Sequence, residues 1–137
     1  MSYSFLEHTA DVKFKVESST IEEMFRSATD ALNETIRGDI KILEQEGKYF
    51  EIEGKDLEGL LYNFLEEFLF LLDAEDFLVA RIKNLEINLE DKKIKCSLIG
   101  DKAENYKFTN DVKAVTYHGM SIKNKDGKFI CEVILDV

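Results

Sequence analysis

The sequence predicts an α+β fold, with two long helices packed on a mixed or antiparallel sheet of about seven strands, in one domain spanning residues 1–137. Three observations predict it. After Thr20 and again after Asp56, apolar residues recur at three- and four-residue spacing, the period of a helix with one buried face. From Val79 onward the apolar period is two, and short polar turns separate the runs, as in hairpin-linked strands. A length of 137 residues with 45% hydrophobic residues, 10 of them Phe, suits one domain with a full core.

Taken in order, residues 3–17 read as a strand preceded by a polar loop. Val12, Phe14 and Val16 share one face, and Asp11, Lys13, Lys15 and Glu17 share the other. Thr20-Ile21-Glu22-Glu23 is a capping-box pattern, with Thr20 as N-cap and Glu23 three residues on. The helix it opens carries Ile21, Met24, Phe25, Ala28, Leu32 and Ile36 as its apolar stripe, and Gly38 stops it. Residues 39–54 read as two short strands, with Ile40 and Ile42 in the first, Tyr49 to Ile52 in the second, and Gln45 to Lys48 as the turn. Asp56 caps a second helix over roughly 57–73, with Leu57, Leu60, Leu61, Phe64, Leu65, Phe68, Leu69 and Leu72 on one face.

Phe70 and Leu71 make the end of that helix apolar nearly all round. It is therefore expected to form the spine of the core; the alternative is cover by a second subunit, hence a homo-oligomer. Asp73, Glu75 and Asp76 read as a solvated helix end in preference to a metal cluster. Strands follow around Ile82 to Leu89 and Ile94 to Leu98, then a polar loop from Gly100 to Asn110. The last two run from Lys113 and from Phe129, with a turn at Lys125-Asp126-Gly127-Lys128.

A formal net charge of -10 argues against stable nucleic-acid binding, which rewards clustered Lys and Arg, and favours a basic partner or a cation. Cys96 and Cys131 each lie in an alternating apolar run and form no C-x-x-C pair. They read as small buried residues, which suits a reducing cytoplasm. Residues 1–11 hold no long apolar run, so no signal peptide is expected. Residues 57–72 include Glu58, Asn63, Glu66 and Glu67 and are too polar to cross a membrane.

Chemically capable side chains are densest in Phe5-Leu6-Glu7-His8-Thr9-Ala10-Asp11-Val12. No G-x-S-x-G elbow accompanies His8, and no P-loop or G-x-G-x-x-G is present, so neither a hydrolytic triad nor autonomous nucleotide binding is indicated. His8 and His118 have no zinc-ligand spacing. In the last strand, alternation puts Glu132, Ile134 and Asp136 on the face opposite Cys131, Val133 and Leu135. Asp136 with the carboxylate of Val137 is either a solvated strand end or an all-oxygen donor set, fit for calcium or magnesium rather than zinc. If the first and last strands pair antiparallel, Asp11 joins them.

Four blocks carry a family resemblance: Phe5-x-Glu7-His8-Thr9-Ala10-Asp11-Val12, the helix segment Leu60 to Leu69 after an acidic cap, Lys113-Ala114-Val115-Thr116-Tyr117-His118, and Ile134-Leu135-Asp136-Val137. Their order and content resemble the archease family over essentially the whole chain. The resemblance implies a protein cofactor of RtcB-type RNA ligase, the GTP- and metal-dependent enzyme that joins tRNA exon halves. Such a cofactor promotes ligase guanylylation and multiple turnover and broadens nucleotide use. It also implies that Asp11, Asp136 and Val137 hold a divalent metal, most readily Ca2+, and that the chain is not itself an enzyme. His8 and Thr9 then shape the loop, and no role falls to His118. A competing expectation is a chaperone-like modulator of an RNA-modifying enzyme such as a tRNA methyltransferase, acting through apolar surface near Phe70 and Leu71. A metal-dependent enzyme in its own right lacks a convincing nucleophile or base.

Overall fold

A computed structural model describes residues 2–6, 11–108 and 112–137. Its order is β1 (Ser2–Leu6), β2 (Val12–Ser18), α1 (Ile21–Arg37), β3 (Glu46–Glu53), α2 (Leu57–Glu75), β4 (Phe77–Asn88), β5 (Lys93–Lys102), a 3-10 turn (Ala103–Asn105), β6 (Ala114–Lys125) and β7 (Lys128–Asp136). The strands divide into two antiparallel sheets, β1-β2-β7-β6 and β3-β5-β4, rather than the one sheet expected. The two helices are the layer the sheets share. α1 touches β1, β2 and β7 on one side and β4 on the other, and α2 touches β6 as well as β3, β4 and β5.

That sandwich explains the composition of α2. Leu60, Leu61, Phe64, Leu65, Phe68, Leu69, Leu71 and Leu72 are all buried, because the helix is covered on two sides, and its exposed positions are Asn63, Phe70 and the last turn. Each such side chain stabilises the fold by roughly 1.5–3 kcal/mol relative to exposure. Leu71, expected at an apolar surface, lies in this core; Phe70 is 52% exposed. Both N-caps form as the sequence indicates: Thr20 Oγ1 accepts the Glu23 N–H at 3.1 Å, and Asp56 Oδ1 accepts the Gly59 N–H at 2.7 Å. α1 ends at Gly38, at φ 65°, whose N–H donates to the Glu34 carbonyl. α2 runs two residues beyond its expected end, so Asp73 and Glu75 are helical, and Asp76 closes it at φ 53°.

The strand count agrees with expectation for a compensating reason. Residues 3–17 are not one strand but a hairpin, β1 pairing β2 from Ser2↔Glu17 to Leu6↔Lys13. Residues 39–45 form no strand. Their backbone groups are taken elsewhere: Arg37 donates to the Ile40 carbonyl at 2.7 Å, Tyr106 Oη accepts the Leu43 N–H at 2.9 Å, and the Gln45 N–H donates to Gly100. Ile42 is buried all the same, so its alternation with Ile40 reports burial without a ladder. The expected polar loop from Gly100 begins later, because β5 continues through Lys102. Gly100 is required there, since a Cβ would run into the Leu78 carbonyl oxygen and come within 2.9 Å of Phe77 Cζ. At the β6–β7 turn, Asp126 (φ 52°) and Gly127 (φ 77°) take the paired left-handed angles of a two-residue hairpin.

Candidate functional site

β7 lies inside the four-stranded sheet, between β2 and β6. It pairs β2 antiparallel from Ser18↔Phe129 to Val12↔Leu135. Val12↔Leu135 is the last pair of this register, and Asp11 and Asp136 are the residues that adjoin it, Asp136 as the last residue of β7 and Asp11 in the bend just before β2. Asp136 belongs to the face turned away from the helices. On β7 that face holds Ile130, Glu132, Ile134 and Asp136, all partly exposed, while Cys131, Val133 and Leu135 are buried. On β2 it holds Lys13 and Lys15, and Lys13 forms an ion pair with Glu132 at 3.0 Å. Val137 packs against the edge of the core.

On its other side, Asp136 is held by β6. Ala114 pairs with Asp136, and the Lys113 N–H donates to the Asp136 carbonyl at 2.7 Å. Thr116 Oγ1 donates to the Ile134 carbonyl at 2.9 Å. The β6–β7 register then slips between Thr116↔Ile134 and Ser121↔Glu132. Extra β6 residues bulge there, and Gly119 lies so close over Ile134 that a Cβ would strike its Cδ1.

β6 is also gripped from the helix layer. Glu66 Oε2 accepts the Val115 N–H at 3.0 Å, across 49 residues of sequence. Tyr62, one turn earlier, meets Tyr117 edge-to-face at 5.5 Å, and the Lys55 ammonium lies 5.9 Å from the Tyr117 ring. Partial burial raises the Tyr62 hydroxyl above its ordinary pKa; the charge of Glu66, and its acceptance of a hydrogen bond from that hydroxyl, raise it further. Sequence reading missed Glu66 and Tyr62. Their signal was a polar pair one turn apart on an otherwise apolar helix, which periodicity alone assigns to solvent.

Of the remaining candidates, Glu7, His8 and Thr9 lie outside the described residues. His118 is exposed within the β6 irregularity. Cys96 and Cys131 are buried and unpaired, and burial pushes both thiols up to about 12. Among the described residues no three His, Cys, Asp or Glu side chains gather closely enough to hold a metal ion. The donors that adjoin the last β2–β7 pair are the carboxylates of Asp11 and Asp136, with Val137 next in sequence. That set fits a hard cation in kind and falls short of the six to eight oxygens calcium takes, so water or a partner would complete it. Among the described residues no helix is long and apolar enough to cross a membrane.

Comparison with known proteins places the fold in a family. The model of the Archease protein family (MTH1598/TM1083) matches residues 3–137. The chain is 38% identical over 136 residues to protein archease of Pyrococcus abyssi, covering 96% of this chain and 95% of that protein. It is 36% identical over 141 residues to protein archease of Pyrobaculum islandicum, covering 100% and 96%. The solution structure of Methanobacterium thermoautotrophicum protein 1598 superimposes with a TM-score of 0.81 at 30% identity, covering 98% of each chain. The crystal structure of a Thermotoga maritima archease, described as a possible chaperone, shares the fold with a TM-score of 0.69 at 21% identity, covering 96% and 94%. A family match across nearly the full length, with relatives above 30% identity, shows that this chain belongs to the archease family.

Proposed function

We propose that this chain activates an RtcB-type tRNA-splicing RNA ligase, promoting its guanylylation and multiple turnover and broadening its nucleotide use. The observation that carries the reading is the β2–β7 register, whose last pair, Val12↔Leu135, adjoins Asp11 on one side and Asp136 on the other. Asp11, Asp136 and Val137 would hold a divalent cation there, Ca2+ being the best match to all-oxygen donors. A cation so held would supply a fixed positive charge facing phosphate oxygens. The protein's own part is positional: β7 carries Asp136, the bend entering β2 carries Asp11, and β6 holds the Asp136 main chain through Lys113. A net charge of -10 suits docking on a basic ligase surface, with the ligase rather than this chain holding the tRNA. In this reading the protein does no bond chemistry of its own and works in the cytoplasm beside the ligase.

The test is ligase guanylylation and multiple-turnover joining, measured with substoichiometric amounts of this protein. Stimulation by wild type, and its loss with Asp11→Ala or Asp136→Ala at unchanged melting temperature, is the expected result. Normal stimulation by both variants would remove the tip from the mechanism. A second reading, a chaperone-like modulator of an RNA-modifying enzyme, has one observation in its favour, the exposure of Phe70. It predicts that Phe70→Ser abolishes activity while the aspartate variants retain it.

A further inference from the structure

We infer that Glu66 is a positioning residue for the Asp136 tip, acting through the Val115 amide at the open edge of β6. The inference rests on the reading of that tip as a cation-holding site. β6 is an edge strand, so half its amides have no ladder partner among the described residues. The Val115 N–H is one of these, and Glu66 Oε2 accepts it at 3.0 Å. The acceptor is rigidly based. Glu66 stands on α2 between Phe64, Leu65, Phe68 and Leu69, each at most 5% exposed. Tyr62, on the same helix, holds Tyr117 two residues past Val115. Val115 itself is buried against Leu135. From there the path to the tip is short: Ala114 pairs with Asp136, and the Lys113 N–H donates to the Asp136 carbonyl at 2.7 Å. The register slip between Thr116 and Ser121 interrupts the β6–β7 ladder, which resumes at Ser121↔Glu132 and leaves Ala114 to Thr116 as a separate short paired segment. That short segment, set apart by the bulge, is tied to the helix layer through the Val115 amide. Glu66 is not placed as a ligand, because it reaches the strand from the helix side and Asp136 belongs to the opposite face.

Three substitutions separate positioning from charge. Glu66→Gln keeps an acceptor of equal reach without the charge. Glu66→Asp keeps the charge and withdraws the acceptor by one methylene. Glu66→Ala removes both. Two quantities are read on each: amide hydrogen exchange of Lys113 and Val115 in metal-free protein, with Cys96 in the other sheet as control, and calcium affinity by titration calorimetry. We expect exchange at Lys113 and Val115 to rise at least about tenfold in the Ala and Asp variants and to stay near wild type in Gln, with Cys96 unchanged. Calcium affinity should fall about 10- to 100-fold in Ala and Asp, the usual effect of losing a group that orients a ligand, and by less than about twofold in Gln. If Gln behaves like Ala while Asp behaves like wild type, the effect is one of charge and the inference is wrong. Unchanged Lys113 exchange in Ala overturns it equally. Failure of wild type to bind calcium would refute the metal reading instead, and the exchange data would still decide whether Glu66 sets the Asp136 backbone.

Discussion

Replacing Phe64 with Ala tests the enclosure of α2 most directly. Phe64 is fully buried, and its ring lies 5.5 Å from Phe25 in α1, 5.9 Å from Phe50 in β3 and 5.2 Å from Phe68 in α2. It therefore ties the helix layer to the three-stranded sheet. Truncating a buried Phe to Ala costs about 3–5 kcal/mol in lost transfer energy and cavity formation. A central value of about 4 kcal/mol is reasonable, because three aromatic neighbours fixed from different elements cannot all collapse into the space. Unfolding entropy near 60 °C is about 2.1 cal/mol/K per residue, so about 0.29 kcal/mol/K for a chain of 137 residues. The melting temperature should then fall by about 14 °C, measured by calorimetry or far-UV circular dichroism in EDTA. Phe64→Leu, which keeps most of the volume, should lose less than half of that. Phe70→Ala is the internal control: the same residue type on the same helix, 52% exposed, should move the transition by no more than about 2 °C. A loss below about 5 °C for Phe64→Ala, or one matched by Phe70→Ala, would show that α2 is not packed through Phe64 between α1 and the three-stranded sheet.

Three more outcomes follow from the same structure. Calcium at 100 times its dissociation constant should stabilise wild type by about 2.7 kcal/mol, a rise of about 9 °C by the same conversion, and Asp136→Asn should abolish the rise; a persistent rise would place the ion elsewhere. Cys96 and Cys131, with thiols pushed up to about 12, should resist a thiol reagent at pH 8 until the chain unfolds; because both folded values lie above the unfolded value of 9.0, stability should be intact below about pH 9 and fall as pH rises toward 12, as pH-dependent denaturation would show. Gly100→Ala should destabilise by about 1–3 kcal/mol in urea, since the clash is with the β4 backbone rather than a movable side chain; an unchanged midpoint would contradict the close β4–β5 approach.

Local signals in the sequence were reliable wherever one element determines its own form. Thr20 and Asp56 cap their helices, Gly38 ends the first, Asp126-Gly127 turns the last hairpin, and the Cys131-Val133-Leu135 alternation gives the buried face of β7. Features set by distant partners were not legible. Whether β2 pairs with β7 depends on contacts across most of the chain, so alternation could join Asp11 to Asp136 only on the condition that the first and last strands are neighbours, a condition the β2–β7 pairing meets. The split into two sheets was hinted at by the all-round apolarity of α2, which one sheet cannot cover. Ile40 and Ile42 misled because burial alternates in an irregular segment whose hydrogen bonds go to Arg37, Tyr106 and Gly100. Glu66 was invisible because its partner is a main-chain amide, which every residue but proline offers.

The central place of β7 has a consequence in time. β7 is made after every other strand, yet it alone joins the β1–β2 hairpin to β6. Until residues 128–136 exist, the four-stranded sheet is two unconnected pieces, with the edge of β2 unpaired. Pairing β2 with β7, from Ser18↔Phe129 to Val12↔Leu135, spans most of the chain, a long-range pairing that folds late and leaves open edges exposed meanwhile. An ion at that junction can engage only the finished sheet. It would therefore act as a latch on unfolding, slowing the release of β7, rather than as a nucleus that speeds assembly.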